Sequence, residues 1–249
     1  MKALILAAGL GSRLKENTKY KPKAMVQIDS KPIISHQIES LKYNKIYKIG
    51  VVLGYKKDVL KSYLLKNHQD IDFSFFNNDE YESSNSAYSF YKAYEFIKSD
   101  TYIHLNCDII FSSELLNRII NSKYKNLIAL SKNLKLKDNM EQVALDSDTK
   151  ILKMDNIKFN SATFKAFGLA KLSSESSNFI FKIIEEDIKR GYKKNNYYGI
   201  MRKAVLNLKY YGLDCKDDLL LEVNTLKDLD YINKLVLSHK LNTNNLYSY

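Results

Sequence analysis

The chain opens with an aliphatic run that ends in small residues: Ala3-Leu-Ile-Leu-Ala7, then Ala8-Gly9-Leu10-Gly11-Ser12-Arg13. Five apolar residues bounded by a glycine turn read as a buried strand. The small residues Ala7-Ala8-Gly9 that end it let backbone N–H groups come close to a phosphate. Gly9 and Gly11 permit positive φ in the loop, and Ser12 follows them. Such a loop suits an anion. Arg13 adds a guanidinium fork matched to phosphate oxygens, and Lys23, in Pro22-Lys23-Ala-Met25, adds a point charge ten residues later. A glycine turn that merely reverses the chain is the plain alternative, but it leaves the spacing of Arg13 and Lys23 unexplained.

Two phosphate-binding motifs are excluded at this loop. A dinucleotide site needs G-x-G-x-x-G, and Leu14 stands at the third glycine position; residues 17–22 then read as loop instead of helix. The G-x-x-x-x-G-K-[ST] run of a P-loop is absent.

Along the rest of the chain, short β-branched or aliphatic runs alternate with amphipathic stretches, which predicts an α/β fold. Predicted strands span 3–7, 49–53, 71–76, 102–107, 127–130, 167–172 and 219–223. Predicted helices span 33–43, 57–65, 86–97, 114–121, 175–190, 199–206 and 226–237. The chain reads as a single domain over 1–249, with 131–161 forming hairpins, an insertion or a lid over the site, and 242–249 a loosely held tail.

Composition narrows the function classes. At 249 residues and 45% hydrophobic, with 8 Gly and 2 Pro, the chain is neither disordered nor collagen-like. The net charge of +11 comes from scattered lysines, not from one basic arm interleaved with aromatics, so a solvated lysine-rich surface that attracts phosphorylated substrates is favoured over nucleic-acid binding. No apolar run is long enough for a membrane span or a signal peptide, and the two cysteines, Cys107 and Cys215, match neither a disulfide scaffold nor a zinc site. The expectation is a soluble, cytoplasmic protein with no membrane partner; its oligomeric state is not legible.

Asp108 ends the apolar strand at 102–107, where open α/β sheets place ligands, and can hold a Mg²⁺ that bridges phosphate oxygens. Its alternative is a cap of the helix that follows Ser112. Asn85 and Ser86 read locally as a helix N-cap. The four histidines show no metal or triad spacing, and Cys107 reads as a small buried side chain.

The opening segment resembles the L-x-A-G-x-G-[ST]-R-(loop)-P-K-x-[ML] signature of nucleotidyltransferases that make sugar nucleotides and CDP-activated small molecules. The similarity continues through Asn78-Asp-Glu-Tyr81, Asn85-Ser86, Ser89, Asn106-Cys-Asp108, Phe167 to Ser173, and Leu221-Glu-Val-Asn-Thr225. It lies nearest the small cytidylyltransferases acting on phosphocholine and phosphonates. The resemblance implies a three-layer Rossmann-like fold with a central mixed, mostly parallel sheet. It implies a Mg²⁺-dependent enzyme that transfers CMP from CTP to the phosphate of a small acceptor and releases pyrophosphate. Arg13 and Lys23 become the catalytic residues. Leu6, Ala7, Ala8, Gly9, Gly11, Ser12, Asn77, Asn85, Ser86 and Asn106 become the nucleotide site, and Asp108 becomes a metal ligand.

A second metal ligand falls on Glu222-Val-Asn224, where relatives commonly show Glu-x-Asp. Either Glu222 or Asn224 could serve, and Asn224 could instead cap the helix after it. For the acceptor, Lys165 stands where relatives often carry Glu, and Tyr197-Tyr-Gly-Ile200 replaces a tract that often reads Tyr-Tyr-Glu-Asp. Acidic positions lost and a cation gained favour an acceptor with its own carboxylate, with Lys165 and Tyr197 as binding residues. Phosphorylated amino acids fit, including L-glutamine phosphate of the capsule phosphoramidate pathway. Three alternatives remain: a phosphocholine or phosphonate cytidylyltransferase, a sugar-1-phosphate nucleotidylyltransferase, and an inactive nucleotide-binding scaffold.

Overall fold

A computed structural model describes residues 1–132 and 134–237. The expected tail at 242–249, and His239, lie outside the described residues. In chain order the elements are β1 Lys2–Ala7, β2 Gln27–Ile28, β3 Lys31–Pro32, α1 Ile33–Tyr43, β4 Lys48–Leu53, α2 Lys57–Asn67 and β5 Asp72–Asn77. There follow α3 Ser86–Lys92, α4 Tyr94–Ile97, β6 Tyr102–Asn106, β7 Ile109–Phe111, α5 Ser113–Asn121 and β8 Leu127–Ser131. The last part contains β9 Gln142–Leu145, β10 Ile151–Asp155, β11 Phe164–Leu172, α6 Ser174–Lys189, α7 Tyr197–Asn207, β12 Tyr211–Asp214, β13 Leu220–Glu222 and α8 Leu226–Leu237.

The main sheet runs β10-β9-β11-β6-β1-β4-β5, with β8 on the other edge of β11 and β12 beside β8. It is mixed: β6, β1, β4 and β5 are parallel, whereas β11 runs antiparallel to β6, β8 and β9. This is the expected α/β architecture. From β1 the chain moves outward to β4 and β5, then returns to β6 on the other side of β1. The strand order therefore reverses at β1, and the crevice beyond the carboxyl ends of β1 and β6 is where such sheets bind ligands.

Aliphatic residues from the strands fill both faces of the sheet. Ala3, Ile5, Ile49, Val51, Ile103 and Leu105 pack under α1 and α5, while Leu4, Val52, Ile128, Leu130, Ala170 and Leu172 face α3, α6 and α7. α1 is buried along most of its length, and its Gln37 amide donates to the Asn106 and Ile109 carbonyls at 2.8 Å each, fixing the turn after β6. Burial explains Lys171 as well. This lysine, 4% exposed, donates to the carbonyls of Ile120 (3.1 Å) and Ser122 (2.6 Å) and so satisfies the end of α5.

Several bounds depart from the sequence expectation for local reasons. The helix expected over 86–97 breaks at Ala93 into α3 and α4. Of the loop expected over 17–22, residues 19–22 are irregular, and Asn17 and Thr18 close a kinked 3₁₀ segment, Ser12–Thr18, with Lys15 at φ 48°. Within 131–161 the β9–β10 hairpin forms, one of the arrangements expected there. Among the described residues, no helix is long and apolar enough to cross a membrane.

Candidate active site

The site begins where β1 ends. Gly11 adopts the left-handed conformation at φ 66°, and a Cβ there would lie 2.9 Å from the Cβ of Lys23. Glycine at this position thus serves both the turn and the packing of Lys23 beneath it. Gly9 does not use positive φ; a Cβ on it would meet nothing, so the space above the loop is open. Beneath the loop, the Tyr55 N–H donates to the Ala8 carbonyl (3.0 Å), an approach that a Cβ on Gly54 would block at 2.5 Å from that oxygen.

Lys23 and Asp108 come into contact across 85 residues of sequence, with Nζ donating to Oδ2 at 2.6 Å. Both side chains are largely buried, at 10% and 15% exposure. The Lys23 ammonium also donates to Asn224 Oδ1 at 3.0 Å, and the same oxygen accepts from Arg13 at 2.7 Å. Arg13, Lys23, Asp108 and Asn224 therefore form one connected centre. β7 explains how Asn224 arrives there. This three-residue strand, absent from the sequence expectation, pairs antiparallel with β13, setting Glu222 opposite Ile109, and the Val223 N–H donates to the Asp108 carbonyl at 2.8 Å.

The capping alternatives resolve locally. Ser112, not Asp108, caps α5 through its hydroxyl. Ahead of α8, Thr225 and Asp228 exchange hydrogen bonds, Asp228 also accepting from the Asn224 N–H, so the Asn224 amide group is left for Lys23 and Arg13. Asn85 does cap α3, its Oδ1 accepting from the Ser86 N–H, while Ser86 Oγ accepts from the Tyr197 N–H at 2.9 Å.

Two cavities share this centre. One, of about 510 Å³, is lined by Leu6, Ala8, Gly9, Gly11, Ser12, Lys23 and the 78–89 segment. The other, of about 580 Å³, is lined by the 134–141 loop, Lys165, Phe167, Glu222 and Asn224. Arg13, Ser86, Asn106 and Asp108 line both. Ala7 is buried in β1 behind the first cavity. Asn77 is exposed and lines neither cavity. Its neighbour Asn78, 1% exposed, takes the inward place: its amide donates to Ser84 and Ser89 at 3.0 Å each, and its Oδ1 accepts from the Glu80 N–H. Strand alternation decides between two adjacent asparagines, and a one-residue register is beyond what composition signals.

In the second cavity Lys165 donates to Glu222 Oε2 at 2.5 Å and lies 4.1 Å above the Phe167 ring. Tyr197 borders this cavity but its ring is 1% exposed, stacked on His104 at 4.4 Å and packed on Phe90. Glu141 is held by a two-pronged bond from Arg202. Neighbouring Tyr198 donates to the Phe167 carbonyl; burial, with the negative charges of Glu222, Glu141 and Asp108, pushes its hydroxyl well above the usual tyrosine range. Burial, with Asp108 adjacent, pushes the Cys107 thiol up to about 12, so it is not a thiolate nucleophile at neutral pH. Burial lowers His104 to about 4, making it a neutral ring near pH 7.

Comparison with known proteins gives the chain's family. Residues 3–135 match the MobA-like NTP transferase domain family. The chain is 41% identical over 138 residues to the CTP:phosphoglutamine cytidylyltransferase of Campylobacter jejuni, covering 53% of each. It is 31% identical over 222 residues to the bifunctional protein GlmU of Methanococcus vannielii, covering 86% of this chain and 50% of that protein. The matched part thus spans about half the length of these two relatives. The solved CTP:phosphocholine cytidylyltransferase LicC of Streptococcus pneumoniae superposes with a TM-score of 0.76 at 22% identity, over 94% of this chain and 98% of that one, a likeness of fold. With the family's domain matched over just over half of its residues, the chain belongs to the MobA-like NTP transferases.

Proposed function

We propose that the protein transfers CMP from CTP to the phosphate of a small acceptor that carries its own carboxylate, a phosphorylated amino acid such as L-glutamine phosphate, and releases pyrophosphate. The observation that carries this reading is the Lys23–Asp108 contact at the wall shared by two cavities, one suited to a nucleotide and one to a small charged acceptor. The similarity to the phosphoglutamine enzyme supports the acceptor class, as does Lys165 in the second cavity.

An acceptor phosphate oxygen attacks the α-phosphorus in line. The new P–O bond forms as the bond to the β-bridging oxygen breaks, and its electron pair leaves with pyrophosphate. A phosphate with a second pKa of about 6 is mostly ionised at neutral pH, so the attack needs no general base. Positioning and charge neutralisation remain for the protein. The loop from Ala8 to Ser12 wraps the triphosphate, Arg13 meets the leaving pyrophosphate, and Lys23 neutralises charge at the α-phosphate. Asn78, Asn85, Ser86 and Asn106 border the base and ribose.

The family implies a divalent cation. Among the described residues, no group of three or more His, Cys, Asp or Glu gathers for a metal. Two hard oxygen donors do meet here, however, and Asp108 Oδ1 is buried without a hydrogen-bond partner. That fits Mg²⁺, which binds through one or two carboxylates, keeps waters and takes further oxygens from phosphates. Asp108 and Asn224 would hold it, and it would supply further neutralisation of the triphosphate.

The test is incubation with CTP, Mg²⁺ and a panel of phosphorylated acceptors while pyrophosphate is followed. Turnover with a phosphorylated amino acid is expected. Turnover with phosphocholine and none with any carboxylated acceptor would reject the reading.

A further inference from the structure

The ion pair Lys165–Glu222 stands apart from the others around the centre. Among the described residues it is the one ion pair whose two members both line the second cavity. Glu141 is answered by Arg202 from outside the lining, and Asp108 by Lys23 from the nucleotide side. Both side chains of the pair are largely enclosed, at 11% and 21% exposure, and Phe167 lies under the ammonium. Glu222 therefore faces Lys165 here and belongs to a centre separate from Lys23, Asp108 and Asn224.

We propose that Lys165 and Glu222 form a two-pole subsite that takes the amino-carboxylate head of the acceptor, Lys165 binding its carboxylate and Glu222 its ammonium. This rests on the transfer reading above and names the chemical class of its acceptor: a phosphorylated zwitterion. An enclosed ion pair opens at low cost only to a ligand that satisfies both halves at once, because removing one partner leaves the other charge uncompensated. A zwitterionic head makes two new pairs for the one it breaks, with no net change in enclosed charge. A cationic acceptor answers Glu222 and strands Lys165; an anionic one does the reverse. The pair thus excludes singly charged heads by the penalty on the abandoned partner. It also separates Glu222 from the metal, leaving that role to Asp108 and Asn224.

The experiment compares O-phospho-L-serine and L-glutamine phosphate, which carry both poles, with O-phosphoethanolamine, which lacks the carboxylate, and 3-phosphoglycerate, which lacks the ammonium. Steady-state turnover with CTP and calorimetric binding of each compound are both read, in the wild type, E222Q and K165M. The charge-exchanged K165E/E222K, which keeps an opposite-charge pair, controls for folding. In the wild type, kcat/KM for the two-pole compounds should exceed that for either one-pole compound by about tenfold or more. E222Q should abolish the preference for phosphoserine over phosphoglycerate, and K165M the preference over phosphoethanolamine. If instead E222Q slows all acceptors by one common factor and raises the Mg²⁺ concentration needed for half-maximal rate, Glu222 is a metal ligand and the subsite is wrong. Turnover without pole preference likewise overturns the subsite while leaving the transfer reading intact. Selective binding of two-pole compounds, lost in E222Q but accompanied by no turnover, would uphold the subsite and reject transfer.

Discussion

On the proposed nucleotide side of the shared centre, the wall joins the backbone and small side chains of Ala8, Gly9, Gly11 and Ser12 to Lys23, Glu82 and the polar segment that begins at Asn78. On the proposed acceptor side it is a set of matched charges, Lys165 with Glu222 and Glu141 with Arg202, brought together from the loop before β9 and from β11, α7 and β13. The first wall suits any nucleoside triphosphate that can lie along a loop. The second is shaped by what each charge would lose if its partner left, and the proposed selectivity rests on that loss. In the proposed reading, common chemistry is carried by a contiguous segment, and individual specificity by long-range pairings.

The largest effect should come from breaking what the two halves share. Lys23→Ala should lower kcat by 10²-fold or more, as expected for an electrostatic group in an enclosed site. Pyrophosphate release with any productive acceptor measures it, and near wild-type turnover would remove Lys23 from the mechanism.

The seam between the halves offers the next test. His104 on β6 is stacked on Tyr197 of α7, and burial lowers its pKa in the folded protein to about 4, below the ordinary histidine value of 6.5. The unfolded chain therefore binds this proton first, and stability falls as pH drops from about 6.5 towards 4. The loss is roughly 3 kcal/mol at 1.36 kcal/mol per unit. Urea denaturation across that window should show the decline, and His104→Phe should flatten it.

Smaller substitutions should separate the two walls. Arg202→Ala leaves Glu141 without its guanidinium in a largely enclosed place and should cost about 2 kcal/mol, discounted from the 3–5 kcal/mol of a fully buried pair. Its kinetic signature should be a raised acceptor KM with the CTP KM within about twofold of wild type. Gly54→Ala should do the opposite. Its Cβ would sit 2.5 Å from the Ala8 carbonyl, so the loop must shift at a cost of about 1–3 kcal/mol, with the CTP KM raised and the acceptor KM little altered. Smallest of all, Asn77→Ala should leave both KM values within about twofold, because the side chain reaches neither cavity.

How much was legible follows the same division. The opening loop, Arg13, Lys23 and Asp108 lie in short apolar or glycine-rich contexts whose chemistry is local, and the structure brings them to one centre. Helix 33–43 is legible at both observed bounds and the last helix at its start, Leu226, since a proline precedes one and the Thr225–Asp228 capping pattern opens the other. β7 escaped because three apolar residues directly after Asp108 carry no period of their own; only pairing with β13 makes them a strand. β12 escaped because Tyr211-Gly-Leu-Asp is short and contains a glycine, which packing against Leu130 and Leu145 makes necessary. The Lys165–Glu222 pair spans 57 residues and depends on the arrangement of β11 and β13, which no local pattern encodes.

The central claim is that the α-phosphorus of a nucleotide lies where the two cavities meet. A crystal structure with a non-hydrolysable CTP analogue and Mg²⁺ tests it most directly. The account predicts the triphosphate along the Ala8–Ser12 loop, the α-phosphate in contact with Lys23, and the base beside Asn78. A nucleotide whose phosphates lie away from Lys23 and Asp108 would contradict it.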